Sequence, residues 1–457
     1  MPISRKLKTV KRKVLLSVAF AKCLLSASLI AQVAVPTYKD VKLKNGLRIL
    51  LMEDHSTPVY AIALVYDVGS RVEKPGHTGF AHLFEHMMFQ GSANVGKGEH
   101  LQLIQENGGG MNGTTNEDRT NFFEMLPANQ LDLGLYLEAD RMRSLAITQA
   151  NLDNQRSAVQ EERRLRMDNQ PYGKSPEALQ NLMYDNFAYK HSTMGSMADL
   201  NAASVQDVQQ FFKMYYAPNN AVIALVGDFK TADALSKVEQ YFGGIPSQPA
   251  PPALDITEPK QQTERRLTIT DNFAKLPMLT VAYKTTQANT PDFFALDLFM
   301  SILCDGESSR LYQRLVEQDK LVIQVLGGMQ PSRGASMAEI RVASPQGTDM
   351  TKVEAAIYDE ISRLAKNGPE DWEMQKVRNG ERKHQVSQAS TDLVRAVTMA
   401  QDAVFYKDPA LMFTEVKRYE AITKDDIRRV AQQYLSENNR SVLITLPKVS
   451  PAPQETR

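Results

Sequence analysis

The feature that most constrains this chain is that its second half repeats its first. Segment 203–226 reads ASVQDVQQFFKMYYAPNNAVIALV, and segment 422–446 reads ITKDDIRRVAQQYLSENNRSVLITL. Each opens with a Ser or Thr helix cap (Ser204, Thr423) and has an aspartate in the first turn (Asp207, Asp426). Each then reaches an Asn-Asn turn and runs into an apolar strand. The turns begin at Asn219 and Asn438, 219 residues apart. Near the starts, an apolar strand at 59–68 and a helix at 80–89 are echoed by 278–283 and 294–303. Between the copies lies 243–259, GGIPSQPAPPALDITEP, whose prolines favour an extended linker. A period this long implies duplicated domains and not a solenoid. Residues 35–245 and 261–450 are the expected domains, with a linker at 246–260 and a tail at 451–457.

Inside each copy, strands and helices are mixed. Segment 120–126 (TNFFEML) alternates like a strand with one buried face. Segment 127–142 reads as a helix with Leu131, Leu135 and Ala139 on one stripe and Pro127 near its start. Short connections predict a mostly antiparallel sheet packed with helices, an α+β fold.

Apolar residues are 42% and charged residues 23%, which suits a buried core and excludes a disordered chain. Basic and acidic residues number 53 each, so no global charge calls for nucleic acid. The balance hides a basic start. Residues 1–34 carry seven Lys or Arg and no acid, followed by an apolar run at 14–34. This reads as a secretory signal, for export to a bacterial periplasm or beyond, with a mitochondrial presequence as the lesser alternative. Removing it leaves 46 basic and 53 acidic residues, a net charge of −7. It also removes Cys23, leaving Cys304 as the one cysteine of the mature chain, with no internal disulfide. No later run reaches the ~18 apolar residues of a membrane span.

The strongest local motif is His82-Leu83-Phe84-Glu85-His86. On a helix, residues four apart share a face, so two imidazoles can bind one Zn²⁺ at about 2.0–2.1 Å each. Glu85 sits at the edge of that face, where a carboxylate can take a proton from an attacking water. The order H-x-x-E-H is the inverted zincin motif. A catalytic zinc needs a third ligand. The helix expected at 151–166 has an inward stripe of Leu152, Gln155, Val159 and Glu162, then Leu165 or Arg166. Glu162 lies on the stripe and Glu161 is rotated away among solvated charges. Without the histidines, an ion pair with Arg163 or Arg166 would be the commoner fate of Glu162.

At these residues the sequence resembles the pitrilysin/insulinase zinc peptidases, in particular short bacterial members similar to mitochondrial processing peptidase. The resemblance runs from about Tyr38 to Leu446. It is carried by NGLRILLMED (45–54), GFAHLFEHMMFQGS (79–92), GGGMNGTTNEDRTNFF (108–123), and VQEERR followed by NQPYG (159–173). In that family a ligand glutamate follows the second histidine by 76 residues, which here is Glu162. The resemblance implies one zinc per chain on His82, His86 and Glu162, with Glu85 as general base, in a two-domain fold like that of the processing peptidase. It implies an extended peptide added to a sheet edge at Asn112, Gly113 and Thr114. Gln155 stands where many members have a glutamate supporting the ligands.

The second copy departs from the family. Its helix at 295–303, ALDLFMSIL, has no histidine. The family's Arg and Tyr, seven apart, fall here on Val316 and Ile323, while Arg310, Tyr312 and Arg314 are out of register. The second domain is therefore expected to be a degenerate repeat, with a homologous partner subunit supplying the Arg/Tyr pair. A homodimer, or a monomer with other donors, is the alternative. The expected activity is a zinc endopeptidase cutting peptides or small unfolded proteins in a clamshell chamber. The competing readings are a non-catalytic assembly subunit and a zinc hydrolase of other substrates.

Overall fold

Two sheets share one topology. In the first half, β1 (Lys39–Lys42), β2 (Arg48–Glu53), β3 (Val59–Tyr66), β4 (Gly110–Thr115), β5 (Thr120–Pro127) and β6 (Ala221–Gly227) lie in the order β1-β2-β6-β3-β5-β4. In the second half, β7 (Arg265–Asp271), β8 (Met278–Lys284), β9 (Gln324–Gln330), β10 (Met337–Ala343) and β11 (Arg440–Pro447) lie in the order β7-β11-β8-β10-β9. With β1 set aside, β2 to β6 map in sequence onto β7 to β11, and the two orders coincide. The parallel pairs also match, β2 with β6 and β7 with β11, while the other neighbours are antiparallel. The fold is the expected α+β duplication. The computed structural model describes residues 35–448, so the signal-type segment 1–34 and the tail 451–457 lie outside the described residues.

The repeated segments fold alike for local reasons. Ser204 and Asp207 close a capping box on the helix Val205–Tyr215, and Thr423 and Asp426 close one on Lys424–Tyr434. Each helix delivers the chain to a central strand, β6 or β11. β3 and β6 read VYAIALVY and AVIALVG, apolar almost throughout, because both faces of this sheet are covered.

The cover of one face comes from the other half. The helix Asp392–Phe405 lies across β3 and β6, burying Ala396, Met399, Ala400 and Ala403. Arg395 holds Asp54 at 2.5 Å, and Arg48 donates to the Ala403 carbonyl. In return, the helix Ser175–Met183 lies on β7, β8 and β11 and packs Leu179 and Met183 beside Ala282, Met337 and Leu443. Each half thus lends a helix to the other's sheet, an exchange that the sequence analysis does not anticipate.

Two expectations need correction. The helix expected from Pro127 begins at Leu131, after a 3-10 turn at Ala128–Gln130. Pro127 still pairs with Val59 and Ala128 N–H donates to the Pro58 carbonyl, so the strand holds the chain longer than the periodicity suggests. The helix expected to 166 runs from Gln149 to Arg163 and passes into a wider π turn, Arg164–Asp168. That turn shifts the phase, so Met167 faces inward while Leu165 is 55% exposed. Among the described residues, no helix is long and apolar enough to cross a membrane.

Candidate metal centre

The motif helix Phe80–Met87 begins at Gly79, whose φ of +84° suits glycine. A Cβ there would lie 2.8 Å from the Met194 carbonyl oxygen, so the helix start packs backbone to backbone. No side chain caps the helix from the Gly79 position. Instead the buried Glu73 carboxylate accepts from Gly79 N–H (2.9 Å) and Ala81 N–H (2.7 Å), and His191 Nε2 lies 2.9 Å from the same carboxylate. An anion at a helix N-terminus is electrostatically favoured.

His82 and His86 project from one face of this helix, ring centroids 4.8 Å apart. Glu162, near the end of the helix Gln149–Arg163, meets both. Its Oε2 lies 3.1 Å from His86 Nε2 and 3.6 Å from His82 Nε2, while Arg166 Nη1 holds Oε1 at 2.9 Å. Donors around a tetrahedral zinc stand about 3.3 Å apart, so Glu162 Oε2 is already near ligand spacing from both imidazoles, and the three donor atoms lie within 4.8 Å of one another. Burial, then the neighbouring His86, pushes His82 down to about 4, which keeps it in the neutral form that binds metal. The His86 contact holds the Glu162 carboxyl below the usual range. Glu161, one residue back, is exposed and paired with Arg164.

Glu85 is buried beside this triad, and burial pushes its carboxyl upward against the opposing charges of His86 and Arg119. Thr115 Oγ1 donates to Glu85 Oε2 at 2.6 Å. A Cβ on Gly113 would lie 3.2 Å from Glu85 Cγ and Oε1, so glycine lets the strand approach the carboxylate. That strand, β4, is the open edge of the first sheet. Its hairpin closes with Asn116 N–H on the Arg119 carbonyl. By alternation, the hydrogen-bonded pairs are then Thr114 with Asn121, Asn112 with Phe123 and Gly110 with Met125. The main-chain groups of Met111, Gly113 and Thr115 are left pointing off the sheet. Asn112 Oδ1 accepts the Gly113 N–H at 2.9 Å, a local cover for one of these donors.

The structure thus brings together His82, His86, Glu162, Glu85 and Gly113. Thr114 and Asn112 lie on the opposite strand face, away from Glu85. Gln155, expected to support the ligands, is buried, but its amide turns along its own helix to Asn154 (2.7 Å) and makes no hydrogen bond to the three. His82 Nδ1 is buried without a partner. In the second half, Val316 packs against the core and Ile323 is exposed. Arg310 is engaged by Glu373 and Arg314 by Asp319, so neither is free to act elsewhere. Glu73, Thr115 and Arg119 carry no motif signal of their own. Thr115 adjoins the expected edge segment, whereas Glu73 and Arg119 make contacts that no periodicity reports.

A second His/Glu cluster, His100, Glu124 and Glu138, also has converging donors. It is fully enclosed, and Arg141 engages both Glu138 oxygens while stacking over Phe122 at 4.4 Å. Arg141 already occupies the Glu138 oxygens that a metal would need, so the site reads as a structural ion cluster.

The chain resembles known proteins along most of its length. The family model described as insulinase (peptidase family M16) matches residues 48–197, and that described as the peptidase M16 inactive domain matches 202–381. The chain is 27% identical to the zinc protease PqqE of Helicobacter pylori over 428 residues, 93% of this chain and 96% of that protein. It is 24% identical over 275 residues to the probable mitochondrial-processing peptidase subunit beta of Arabidopsis thaliana, 59% of this chain and 51% of that one. Among solved structures, a protease from Helicobacter pylori has a TM-score of 0.86 at 25% identity, covering 91% of this chain and 100% of that one. The periplasmic protease PqqL from Escherichia coli has a TM-score of 0.74 at 17% identity over 91% of this chain and 49% of that one, a likeness of fold. With one M16 model over 48–197, which bears His82, Glu85, His86 and Glu162, and a second over 202–381, the chain belongs to the insulinase family of peptidases, M16.

Proposed function

We propose that this protein is a zinc-dependent endopeptidase acting on peptides or small unfolded proteins. The observation that carries the reading is the meeting of His82, His86 and Glu162 near ligand spacing beside a buried Glu85 and an open strand edge. His82, His86 and Glu162 would hold one zinc ion. When bound, zinc supplies Lewis-acid polarisation of the scissile carbonyl and of the attacking water. Glu85 takes the proton of that water and returns it to the leaving amine, with Thr115 orienting the carboxylate. A substrate strand pairs with the outward main-chain groups of Met111, Gly113 and Thr115, displacing the Asn112 side chain from Gly113 N–H. Main-chain pairing favours extended, unfolded segments with little sequence selectivity.

Residues 35–245 are taken as the zinc-binding domain and 261–450 as the degenerate repeat. Val316 and Ile323 leave the chain without the family's Arg/Tyr pair, which supports a split site completed by a homologous subunit. The basic and apolar residues 1–34 support export, in keeping with the periplasmic location of PqqL. The test is expression of residues 35–457 alone and with a homologous partner, measuring zinc content and hydrolysis of a quenched peptide, with Glu85→Gln as control. Zinc bound with activity only in the pair supports the split site. Full activity of the lone chain removes the partner requirement. No zinc and no activity in either preparation favours a non-catalytic assembly subunit.

A further inference from the structure

Thr114 sits between the two strand residues that touch Glu85. Gly113 lies against the Glu85 side chain, and Thr115 donates to its carboxylate. Whatever fixes Thr114 therefore fixes the distance between the open edge and that carboxylate. Arg119 does this from the opposite strand face. Its Nη1 donates to the Thr114 carbonyl (2.9 Å), to Thr114 Oγ1 (2.6 Å) and to Asn121 Oδ1 (3.2 Å). Its Nε donates to Gln401 Oε1 at 3.0 Å. Gln401 belongs to the helix Asp392–Phe405, which the second half lays across the first sheet and Arg395 ties to Asp54. An edge strand is held by a ladder on one side only, so an added clamp matters more there than in a central strand. A planar guanidinium fixed through two nitrogens is a rigid fork, which a lysine ammonium does not reproduce.

We infer that Arg119 is a positioning residue that sets the β4 edge against Glu85 and takes its own reference from the second half through Gln401. The inference rests on the proposed roles of Glu85 and β4. It gives the repeat without a metal motif a part in the geometry of the site. Misplacing reacting groups by about 1 Å costs up to about 100-fold in rate.

The test compares Arg119→Gln, Arg119→Lys and Gln401→Ala with the unaltered protein, in the preparation that is active. The readouts are zinc content, Tm, kcat and KM on the quenched peptide, and amide exchange of residues 110–118. Zinc content is expected to stay unchanged and kcat to fall about 10- to 100-fold in both Arg119 variants. KM should move less than about threefold, because the pairing groups of the edge remain. Gln401→Ala should lower kcat by less, and exchange in 110–118 should quicken in all three. Full rescue by Lys would overturn the inference, because charge alone would then suffice. A raised KM at unchanged kcat would overturn it in favour of direct substrate contact, and unaltered exchange would show that the strand is held otherwise. An unaltered protein without zinc or activity would strike the proposed function instead, while the exchange data would still test the clamp. If Arg119→Gln does not fold, Gln401→Ala decides alone, and native kcat with native exchange overturns the inference.

Discussion

Glu161 and Glu162 are neighbours in sequence and opposites in the fold. Glu162 touches both histidines, whereas Glu161 is solvated beside Arg164. Glu162→Ala should therefore lower zinc affinity by more than the about 10- to 100-fold typical of partners behind a ligand. Glu161→Ala should leave it unchanged, and metal analysis after dialysis against a weak chelator separates the two. Glu85→Gln should keep the zinc and lose at least about 100-fold in kcat, since a general base contributes about that much. Residual turnover near the native rate, with native zinc, would remove Glu85 from the role of base. Gly113→Val should keep zinc and fold but lose peptide cleavage, because its Cβ would meet both Glu85 and Phe122 at 3.1–3.2 Å. Much of this site was legible beforehand for a simple reason. A spacing of four puts His82 and His86 on one helix face, and the apolar stripe of the second helix singles out Glu162. What stayed hidden was contact that no periodicity reports: Glu73 on the first turn of the motif helix and on His191, and Arg119 reaching Gln401.

At the scale of elements, the capped helices and the strands after them were legible because their signals are local. Ser204 with Asp207 and Thr423 with Asp426 announce helix starts, and the Asn-Asn turns announce strands. The exchange of helices was not legible. The periodicity of the helix Asp392–Phe405 says that it has an apolar face, not which sheet that face will cover. The exchange has a consequence for any attempt to divide the chain at its proline-rich linker. Residues 35–245 alone would present β3 and β6 without the cover of Ala396, Met399, Ala400 and Ala403. An exposed apolar sheet face of this kind favours association over a folded monomer. The fragment is expected to bind a hydrophobic dye strongly and to aggregate, and co-expression with 246–457 to restore a soluble complex. A monomeric, cooperatively unfolding 35–245 would mean that the borrowed helix is dispensable.

At the scale of the molecule, the root of that borrowed helix carries an electrostatic load. Asp402, near its end, faces Glu415, and Glu415 and Glu381 both face Asp297 on the helix Pro291–Cys304. Burial, then Asp297, pushes both Glu381 and Glu415 up to about 7, and burial raises Asp402 and Asp297 as well. The basic side chains near them are Arg418, beside Glu415 and Asp402, and His384, beside Asp297, while the Tyr419 hydroxyl donates to Asp297 at 2.7 Å. An acid whose folded pKa is raised is neutral in the fold while its unfolded counterpart ionises. Its contribution to stability is full below about 4.5 and is lost as pH rises through about 7. This cluster should therefore cost the protein thermal stability as pH rises from about 4.5 to about 7. Glu381→Gln, which mimics the protonated form, should melt with the native protein at about pH 4 and about 1 °C above it at pH 8, a gain of about 1 kcal/mol in a chain of this size. Calorimetry at the two pH values measures the difference directly. Parallel curves, with the variant shifted equally at both, would mean that Glu381 acts through packing and not through its charge.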